Sequence, residues 1–189
     1  AGTHIITYTF TDGNGCTNIA TTDVVVNDLP IVTISGGPFC VDEPAVNLPG
    51  SPPGGIFSGD GIIDPVLGTF DPETARPGTH TITYNYTDAN GCSNSASVNI
   101  EVFDLPSITL FGGPFCLDDA ASNLTATPVG GTFSGTGITD ASAGTFDPAT
   151  AGVGTHAITY VYTDVNGCSN SSTTNIVVNN IPDVAIAGG

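Results

Sequence analysis

One stretch of the chain recurs three times at a fixed spacing. It reads GTHIITYTFTDGNGC at 2–16, GTHTITYNYTDANGC at 78–92 and GTHAITYVYTDVNGC at 154–168, so each copy starts 76 residues after the one before. A fixed period of this size is typical of repeated domains. The 189 residues therefore hold about 2.5 periods, and each period is long enough for one small sandwich core.

Within each copy the residues alternate with period two, as they do in a half-buried β-strand. Asp-x-Asn-Gly then ends the strand, and Asn and Gly suit the left-handed backbone conformations of a tight hairpin turn. The repeated unit is therefore predicted to be a β-hairpin. In the second copy its inward residues are predicted to be His80, Ile82, Tyr84 and Tyr86 on the first strand and Ala96, Val98, Ile100 and Val102 on the second.

Three proline linkers divide the chain at the same period. Asp28-Leu29-Pro30 recurs as Asp104-Leu105-Pro106 and, altered, as Asn180-Ile181-Pro182. Proline cannot donate to a sheet and extends the residue before it, so a short, stiff joint is expected at each point. The predicted domains are the closing hairpin of an incomplete repeat at 1–28, complete repeats at 29–104 and 105–180, and the start of a further repeat at 181–189.

The first complete repeat shows further short strand signals separated by Gly and Pro. Asp71-Pro72 also predicts one helical turn, with Asp as N-cap and Pro at the first helical position. The predicted strands are 31–35, 45–48, 56–58, 62–63 and 68–70 followed by the hairpin, with 49–55 as a loop. Seven short strands with regular turn signals predict an all-β fold of tandem immunoglobulin-like sandwiches, arranged as an end-to-end rod. Phe57 and Phe133 occupy the third-strand position where such domains usually carry a core Trp.

The charge balance of the chain excludes several classes of partner. Eighteen acidic residues accompany a single basic residue, Arg76. Binding to nucleic acid or to an anionic membrane surface needs Lys and Arg, so neither partner is expected. No run of 18 apolar residues occurs, and no membrane insertion is expected. The sparse, dispersed acidic charge predicts a surface that resists self-association.

The five cysteines fall into two classes at repeat-equivalent positions. Cys16, Cys92 and Cys168 follow the hairpin turn, whereas Cys40 and Cys116 lie between the first two predicted strands. This regularity favours disulfides in an oxidising compartment.

Three pairings join the two classes: Cys40–Cys92 within a repeat, Cys92–Cys116 across one linker, and Cys40–Cys168 from one repeat to the next one's hairpin. Bonded Cα atoms must lie within about 7 Å. An immunoglobulin-like strand count places the two classes at opposite ends of a domain, which favours Cys40–Cys168. If the strand at 62–63 does not form, the count is reversed and Cys40–Cys92 becomes the natural pair.

Acidic residues at the hairpin turns and linkers offer oxygen ligands near one another in an immunoglobulin-like strand order. Such ligands suit Ca²⁺, so a calcium site at the domain junctions is one interpretation. Asp-x-Asn-Gly is also ordinary turn chemistry, and Asp104 becomes Asn180 one period later, so the turn role is favoured. No cofactor is required by the sequence. The candidate ligands are Asp28, Asp88, Asn90, Asp104, Asp164 and Asn166.

No catalytic constellation stands out, and an enzyme is not expected. His4, His80 and His156 share one repeated position on the inward face of a strand, without Cys or His at ligand spacing beside them. A packed histidine at the rim of the sandwich is the favoured interpretation. No nucleophile–base pair, phosphate loop or paired-carboxylate motif is visible.

The combined motifs resemble the tandem immunoglobulin-like and PKD-like repeats of Bacteroidota surface proteins. They are PFCxDxxAxNL, GGxFSGxGI and GTFDPxTAxxGTHxITYxYTDxNGCSNS, and the hairpin alone is similar to the repeat of the gliding-motility adhesin SprB. The resemblance implies export by a type IX-like route, a place at the cell surface, and a role in long adhesins or surface filaments. It implies no particular ligand.

The function expected from the sequence is a structural stalk or filament region of a secreted or cell-surface adhesin. Its expected partners are neighbouring repeats of the same long chain or adjacent protomers of a filament. The alternative is a recognition module that binds a glycan or a surface through exposed loops, although loops at 49–54 and 125–129 differ between the repeats, which fits spacing better.

The hairpin at 1–28 lacks the strands against which it should pack, and an isolated two-stranded hairpin is marginal in water. Its inward residues are expected to be exposed: His4, Ile6, Tyr8, Phe10, Val24 and Val26. Either the chain is a window on a continuous array, or separate chains complete one another by donating strands. The window is favoured, because residue 189 also stops inside a first-strand motif.

Overall fold

The computed structural model describes residues 1–186, and it is almost entirely β-structure. The predicted start of a further repeat at 181–189 lies partly outside the described residues, and its described part forms no strand. The chain divides into two compact units. The first contains Ala1–Phe39 and Glu43–Val102, and the second contains Cys40–Asp42 and the chain from Phe103 onward.

The first unit begins with a long hairpin whose side chains are exposed. Strands β1 (Gly2–Thr11) and β2 (Thr17–Val26) pair antiparallel without a register shift. As predicted, their apolar face is uncovered, with Ile6, Tyr8 and Phe10 all more than half exposed.

The rest of the first unit carries three sheets. Their strand orders are β4-β11-β10-β7, β5-β9-β8 and β3-β6. The strands are β3 (Thr33–Ile34), β4 (Phe39–Cys40, which reaches into the second unit), β5 (Val46–Asn47), β6 (Gly50–Ser51), β7 (Ile56–Ser58), β8 (Ile62–Asp64), β9 (Thr69–Phe70), β10 (Gly78–Thr87) and β11 (Ser93–Phe103). One helical turn, α1 (Pro72–Ala75), begins at the predicted N-cap Asp71 and follows β9.

The second unit repeats this plan. Its sheets have the orders β13-β20-β19-β16, β14-β18-β17 and β12-β15, and β13 runs parallel to β20. The elements are β12 (Thr109–Phe111), β13 (Phe115–Cys116), β14 (Ser122–Asn123), β15 (Thr125–Thr127), β16 (Thr132–Ser134), β17 (Ile138–Asp140), β18 (Thr145–Phe146), α2 (Pro148–Ala151), β19 (Gly154–Thr163) and β20 (Ser169–Asn179). The predicted fold class, tandem immunoglobulin-like β-sandwich repeats, is confirmed.

The core is formed by the predicted inward faces of the hairpins. In the second unit, the buried core consists of Leu124, Ala126, Phe133, Phe146, Ile158, Tyr160, Ile176 and Val178. The Phe133 and Tyr160 rings lie 4.6 Å apart between centroids, and the equivalent pair Phe57 and Tyr84 lies 4.4 Å apart. Aromatic pairs at such distances add to the burial of apolar area. The predicted role of the third-strand Phe is therefore confirmed.

The strand predictions are wrong in segments rich in glycine and proline, where the structure contains very short paired strands. The predicted loop at 49–55 contains β6, and the predicted strand at 31–35 shortens to β3. Gly50 fits in β6 because it has no side chain, so its backbone can pack directly on the rings of Phe57 and Tyr84. A Cβ at this position would lie only 2.7 and 2.9 Å from those rings. Sequence periodicity carries no signal for strands of two residues that are held by such close approach.

The hairpin turn also differs from its prediction in one respect. Gly91 has φ +82°, whereas Asn90 is not among the residues with positive φ. The Gly91 N–H donates to the Asp88 carbonyl at 3.1 Å, and the Asp88 N–H donates to the Cys92 carbonyl at 2.9 Å. This is a type I turn followed by one left-handed glycine, so only Gly needs the left-handed conformation.

Candidate functional site

The best-defined site of the molecule is a disulfide, and its first half is built by the hairpin turn before Cys168. One oxygen of the Asp164 carboxylate accepts the backbone N–H groups of Asn166 and Cys168, both at 2.9 Å. The Gly167 N–H donates to the Asp164 carbonyl at 3.2 Å. Aspartate is suited to this position because its short carboxylate reaches backbone donors two residues on. The turn therefore fixes Cys168, which is fully buried.

Asn170 holds this turn beside the linker that precedes it. Its Nδ2 donates to the Pro106 carbonyl at 2.9 Å, and Asn94 makes the same bond to Pro30 in the first unit. A proline carbonyl at a linker has no partner in the sheets, so a side-chain amide satisfies it. The hairpin turn therefore lies beside the preceding linker in both complete repeats.

The second half of the site is the segment around Cys40. The Val41 N–H donates to the Phe103 carbonyl at 2.9 Å, at the end of the last strand of that sequence repeat. The Leu117 N–H makes the equivalent bond to Asn179 at 3.0 Å. Gly and Pro before Phe-Cys stop the preceding strand and leave a short extended segment. Cysteines of this class therefore lie where the chain leaves a repeat.

The two halves meet in a disulfide between Cys40 and Cys168, which both belong to the second unit. The Sγ atoms lie 2.00 Å apart, the Cα atoms lie 5.6 Å apart, and 128 residues separate the two cysteines in sequence. The Cα distance is ordinary for a disulfide. Strand β8 forms, so the condition under which Cys40–Cys92 was expected is not met. Cys92, Cys116 and Cys16 are thiols in the structure.

The carboxylates named as calcium ligands act on the backbone of their own turns. In the second repeat one oxygen of Asp88 accepts the N–H groups of Asn90 and Cys92 at 2.9 Å, and the other lies 3.5 Å from the Asn90 amide. Asp104 accepts the Leu105 N–H at 2.9 Å. These contacts account for the turn chemistry that the sequence favoured. Asp28 is exposed.

One cluster of potential metal-binding side chains occurs among residues 1–186, and it was not predicted. Cys116, Asp118 and Asp119 offer atoms within 4.8 Å of one another, and all three are exposed. Asp119 already accepts the Cys116 N–H at 2.7 Å and donates its own N–H to the Cys116 carbonyl at 3.1 Å. The cluster therefore closes a turn at the end of β13.

Hydrogen bonding at the turns lowers the pKa of particular carboxyl groups. The backbone N–H groups of Cys16 and Asn14 hold the pKa of Asp12 below its ordinary value of 3.8. The Ala143 N–H, followed by the Ser142 hydroxyl, lowers the pKa of Asp140 in the same way. Donors that bond the charged form favour it. Each of these carboxylates is therefore stabilised as the anion.

The repeated histidines have a structural role in the two complete repeats. His80 Nε2 lies 2.8 Å from the Arg76 carbonyl, and His156 Nε2 lies 2.8 Å from the Gly152 carbonyl. Both rings are half-buried at the start of the hairpin, beside the helical turn, whereas His4 is exposed. The predicted packing of this histidine at the sandwich rim is confirmed for His80 and His156.

An open depression of about 550 Å³ lies on the surface of the second unit, and the sequence analysis did not predict it. Phe111 contributes an exposed ring, with Leu110 and Gly113 beside it and Asn123 and Thr125 on the opposite strands. The residue equivalent to Phe111 in the preceding repeat is a serine at position 35. The exposed ring at this position is therefore not shared by the preceding repeat.

Comparison with known proteins gives no assignment. No family model matches the chain, and no curated protein matches it. Among residues 1–186, no helix has the length and apolar character needed to cross a membrane.

Solved structures of extracellular cadherin domains are distantly similar. Mouse protocadherin-24 EC1-3 is 10% identical over 96% of this chain and 80% of that chain, with a TM-score of 0.32. Drosophila N-cadherin EC1-4 is 11% identical over 86% and 52%, with a TM-score of 0.34. Protocadherin gamma B2 domains 1–5 are 11% identical over 97% and 47%, with a TM-score of 0.28, so the present chain spans about half of that length. The fold class rests on the strand pairing described above, and these distant likenesses place the chain in no family.

Proposed function

We propose that this chain is a structural stalk or filament region of an extracellular adhesin, built to withstand tension. The observation that carries the proposal is the disulfide that joins one 76-residue sequence repeat to the next, 128 residues apart. A covalent bond of this kind keeps the intervening polypeptide from extending when the chain is pulled. A tether gains directly from such a bond, because it limits how far the chain can lengthen under load.

Composition and cysteine usage support an extracellular location. Disulfides persist in oxidising compartments, and the acidic, Lys-free surface resists self-association. The repeat motifs resemble those of Bacteroidota surface proteins, including the gliding-motility adhesin SprB, which supports export by a type IX-like route. The proposed partners are neighbouring repeats of one long chain or adjacent protomers of a filament. Antibody labelling of intact cells would test the location, because an internal protein would stay unlabelled.

Single-molecule pulling from the two ends tests the mechanical role. The segment that this bond closes has a sequence separation of 128 and would extend by roughly 42–46 nm at 3.3–3.6 Å per residue. We expect this length to appear only in the presence of a thiol reductant. The Cys92→Ser variant is the matched control, because it removes a hairpin cysteine of the same class that is not bonded. It should keep the reductant-dependent step.

Release of the full length under oxidising conditions would contradict the mechanical proposal. The same traces would then show that the cross-link does not carry load.

We further propose that Ca²⁺ binds through the turn and linker oxygens named above. The turn carboxylates retain oxygen lone pairs beyond their backbone hydrogen bonds, and oxygen ligands suit this ion. Calorimetric titration with Ca²⁺ and thermal unfolding with a chelator test the site. An absence of heat, together with an unchanged melting temperature, would rule it out.

Recognition of a glycan or an apolar surface is the second candidate function. The observation that favours it is the depression beside Phe111, whose ring is 61% exposed. Exposed aromatic rings are common anchors in binding sites. Screening the chain and its Phe111→Ser variant against a glycan array tests this function, and serine reproduces the residue of the equivalent repeat. Binding that is unaffected by the substitution would exclude this surface.

A further inference from the structure

The single basic residue of the 189, Arg76, is followed directly by Pro77. A globular chain of this length usually carries roughly 20 basic residues, since charged residues make up about 25% of an average sequence. Endoproteases of the trypsin type bind lysine or arginine through an acidic specificity pocket. The Arg76–Pro77 bond is therefore the one bond within these residues that such an enzyme could select.

The backbone at Arg76 has a conformation that a protease substrate does not adopt. Arg76 ends α1 with φ +71° and ψ 165°, and it is the only non-glycine residue with positive φ within residues 1–186. A protease binds the residues around the bond it cuts as an extended strand, for which φ is about −120 to −140°. The Arg76 side chain is exposed, but its backbone fits an active site only if the turn opens.

Two hydrogen bonds hold this turn closed. The Arg76 N–H donates to the Pro72 carbonyl at 2.9 Å, and His80 Nε2 donates to the Arg76 carbonyl at 2.8 Å. That carbonyl belongs to the bond that would be cut, and hydrolysis requires its oxygen to enter the oxyanion hole of the enzyme. The half-buried His80 therefore occupies the oxygen on which a protease depends.

The second repeat contains the same turn without the arginine. Gly152 has φ +78° and ψ 169°, and its N–H donates to the Pro148 carbonyl at 2.9 Å. His156 Nε2 lies 2.8 Å from the Gly152 carbonyl. Val153 follows Gly152 where Pro77 follows Arg76. The closed backbone is therefore a property of the repeat and does not depend on the arginine.

Pro77 is a second barrier, and it acts in the folded and the unfolded chain alike. Its ring fixes φ and leaves the backbone nitrogen without an N–H group. The ring also restricts the conformation of the residue before it, which is Arg76. These restrictions belong to the covalent chain, so they persist when the turn opens.

We propose that residues 72–80 form a protected arginine site, which makes these 189 residues resistant to endoproteases that cut after lysine or arginine. The turn protects the bond in the folded chain, and Pro77 protects it whenever the turn opens. The resistance concerns one class of enzyme, because proteases with a small apolar specificity pocket select other residues. It stands whether or not the chain bears tension.

Proteolysis with trypsin, followed by measurement of the intact mass, tests the proposal. The oxidised chain and the reduced, urea-unfolded chain should both keep their full mass. Elastase should fragment the unfolded chain, because its pocket accepts small apolar residues, and this shows that the unfolded chain is open to a protease. Val184→Arg is the control for the folded chain, since Val184 is 81% exposed and lies in no strand. Trypsin should cut this variant at the introduced residue.

Pro77→Val separates the two barriers, because it introduces the residue that the second repeat has at this position, Val153. When unfolded, this variant should be cut at Arg76 about a hundredfold faster than the unaltered chain. When folded, it should be cut about tenfold more slowly than when unfolded, because cleavage follows the population of the open turn. Gly152→Arg places an arginine before Val153 in the same turn and should behave like Pro77→Val. Adding His80→Ala to Pro77→Val should raise the folded-state rate several-fold, since it frees the Arg76 carbonyl.

Cleavage of the unaltered chain at Arg76, folded or unfolded, would overturn the proposal. It would also fail if unfolded Pro77→Val stayed intact, because proline would then not be the barrier. Equal rates for folded and unfolded Pro77→Val would show that the turn gives no protection, which is a third way to refute it. None of these results depends on the disulfide or on the response to force, so this proposal and the mechanical one can fail separately.

Discussion

Single aspartates organise several turns of this chain, because their short carboxylates accept backbone N–H groups a few residues further on. Asp147 caps α2, with its carboxylate accepting the Ala149 N–H at 3.1 Å and the Thr150 hydroxyl at 2.5 Å. The Thr150 hydroxyl is the main cause that lowers the pKa of Asp147 below 3.8. A carboxyl group whose pKa is lower in the folded state stabilises the fold above the unfolded-state pKa. That contribution is lost as the pH falls through the folded-state pKa.

We therefore expect acidification to reduce the stability of the native chain more than that of the Asp147→Asn variant. Asparagine also caps helices but does not titrate. Urea unfolding midpoints measured well above and well below pH 3.8 test the expectation. Asp60→Asn is the control, since the Asp60 side chain is exposed and forms no hydrogen bond among residues 1–186, and it should follow the native chain. Equal acid sensitivity of Asp147→Asn and the native chain would contradict the cap's role.

Local structure also depends on the hydroxyl group of the buried Tyr160. Tyr160 joins β19 to the loop after β15 through Pro128 and Gly131. Tyr160→Phe leaves both backbone groups without this partner, so we expect a loss of about 1–3 kcal/mol in the free energy of unfolding. Tyr162→Phe is the control, because no hydrogen bond engages that hydroxyl within residues 1–186, and it should cost less than about 0.5 kcal/mol. Urea unfolding of both variants measures the difference, and equal losses would refute it.

At the scale of elements, short strands pack closely because glycines let backbone meet aromatic rings. Gly144, with φ +70°, lies just before β18, and a Cβ there would meet the Phe133 ring at 2.6 Å. Gly144→Ala should therefore cost about 2 kcal/mol or more, from backbone strain and overpacking together. Gly130 has φ +98° with nothing within 4 Å of its Cβ position, so Gly130→Ala measures the strain alone. If the two variants lose equal stability in urea, close packing at Gly144 is not the cause.

The elements also show how far the sequence predicts this fold. The long hairpins, the capped helical turn and the buried Phe57 follow from period-two alternation and local turn chemistry. Strands β4 and β6 do not, because two-residue strands are specified by contacts with distant residues and carry no periodic signal. The prediction of a left-handed backbone at Asn90 was wrong for a similar reason. The turn type depends on how the Asp88 carboxylate bonds the backbone, and that bonding favours a type I turn before Gly91.

At the scale of the whole molecule, the sequence repeat predicts that a disulfide forms but does not determine which cysteines it joins. Two classes of cysteine are visible in the sequence, yet three different pairings join one class to the other. What distinguishes them is the position of each class within its repeat, which depends on strand order. Cys40 lies beside Phe103, where the chain leaves a repeat, and Cys168 lies on the turn that Asn170 fixes to Pro106. The calcium ligands are less predictable, because the same carboxylates serve as turn caps.

The stability of the second unit should depend on this one bond. In the chain-entropy model, a disulfide that closes a loop of 128 residues stabilises the folded state by about 4–5 kcal/mol. Cys168→Ser removes the bond and leaves a buried position with a small polar side chain, so its unfolding midpoint should fall strongly. Cys92→Ser makes the same substitution in the same turn of the preceding repeat, where the thiol is not bonded. Its midpoint should stay close to that of the native chain.

The two serine variants differ in burial as well as in connectivity, since Cys168 is fully buried and Cys92 is half-buried, so a thiol reductant is used to isolate connectivity. Asp88 bonds the Cys92 N–H as Asp164 bonds the Cys168 N–H, both at 2.9 Å. A thiol reductant should lower the midpoint of the native chain and of Cys92→Ser, and leave Cys168→Ser unchanged. Peptide mapping without reduction should recover Cys40 joined to Cys168. Recovery of Cys40 joined to Cys92, with the reductant response abolished in Cys92→Ser, would show that each repeat closes its own bond and that neighbouring repeats are not covalently joined.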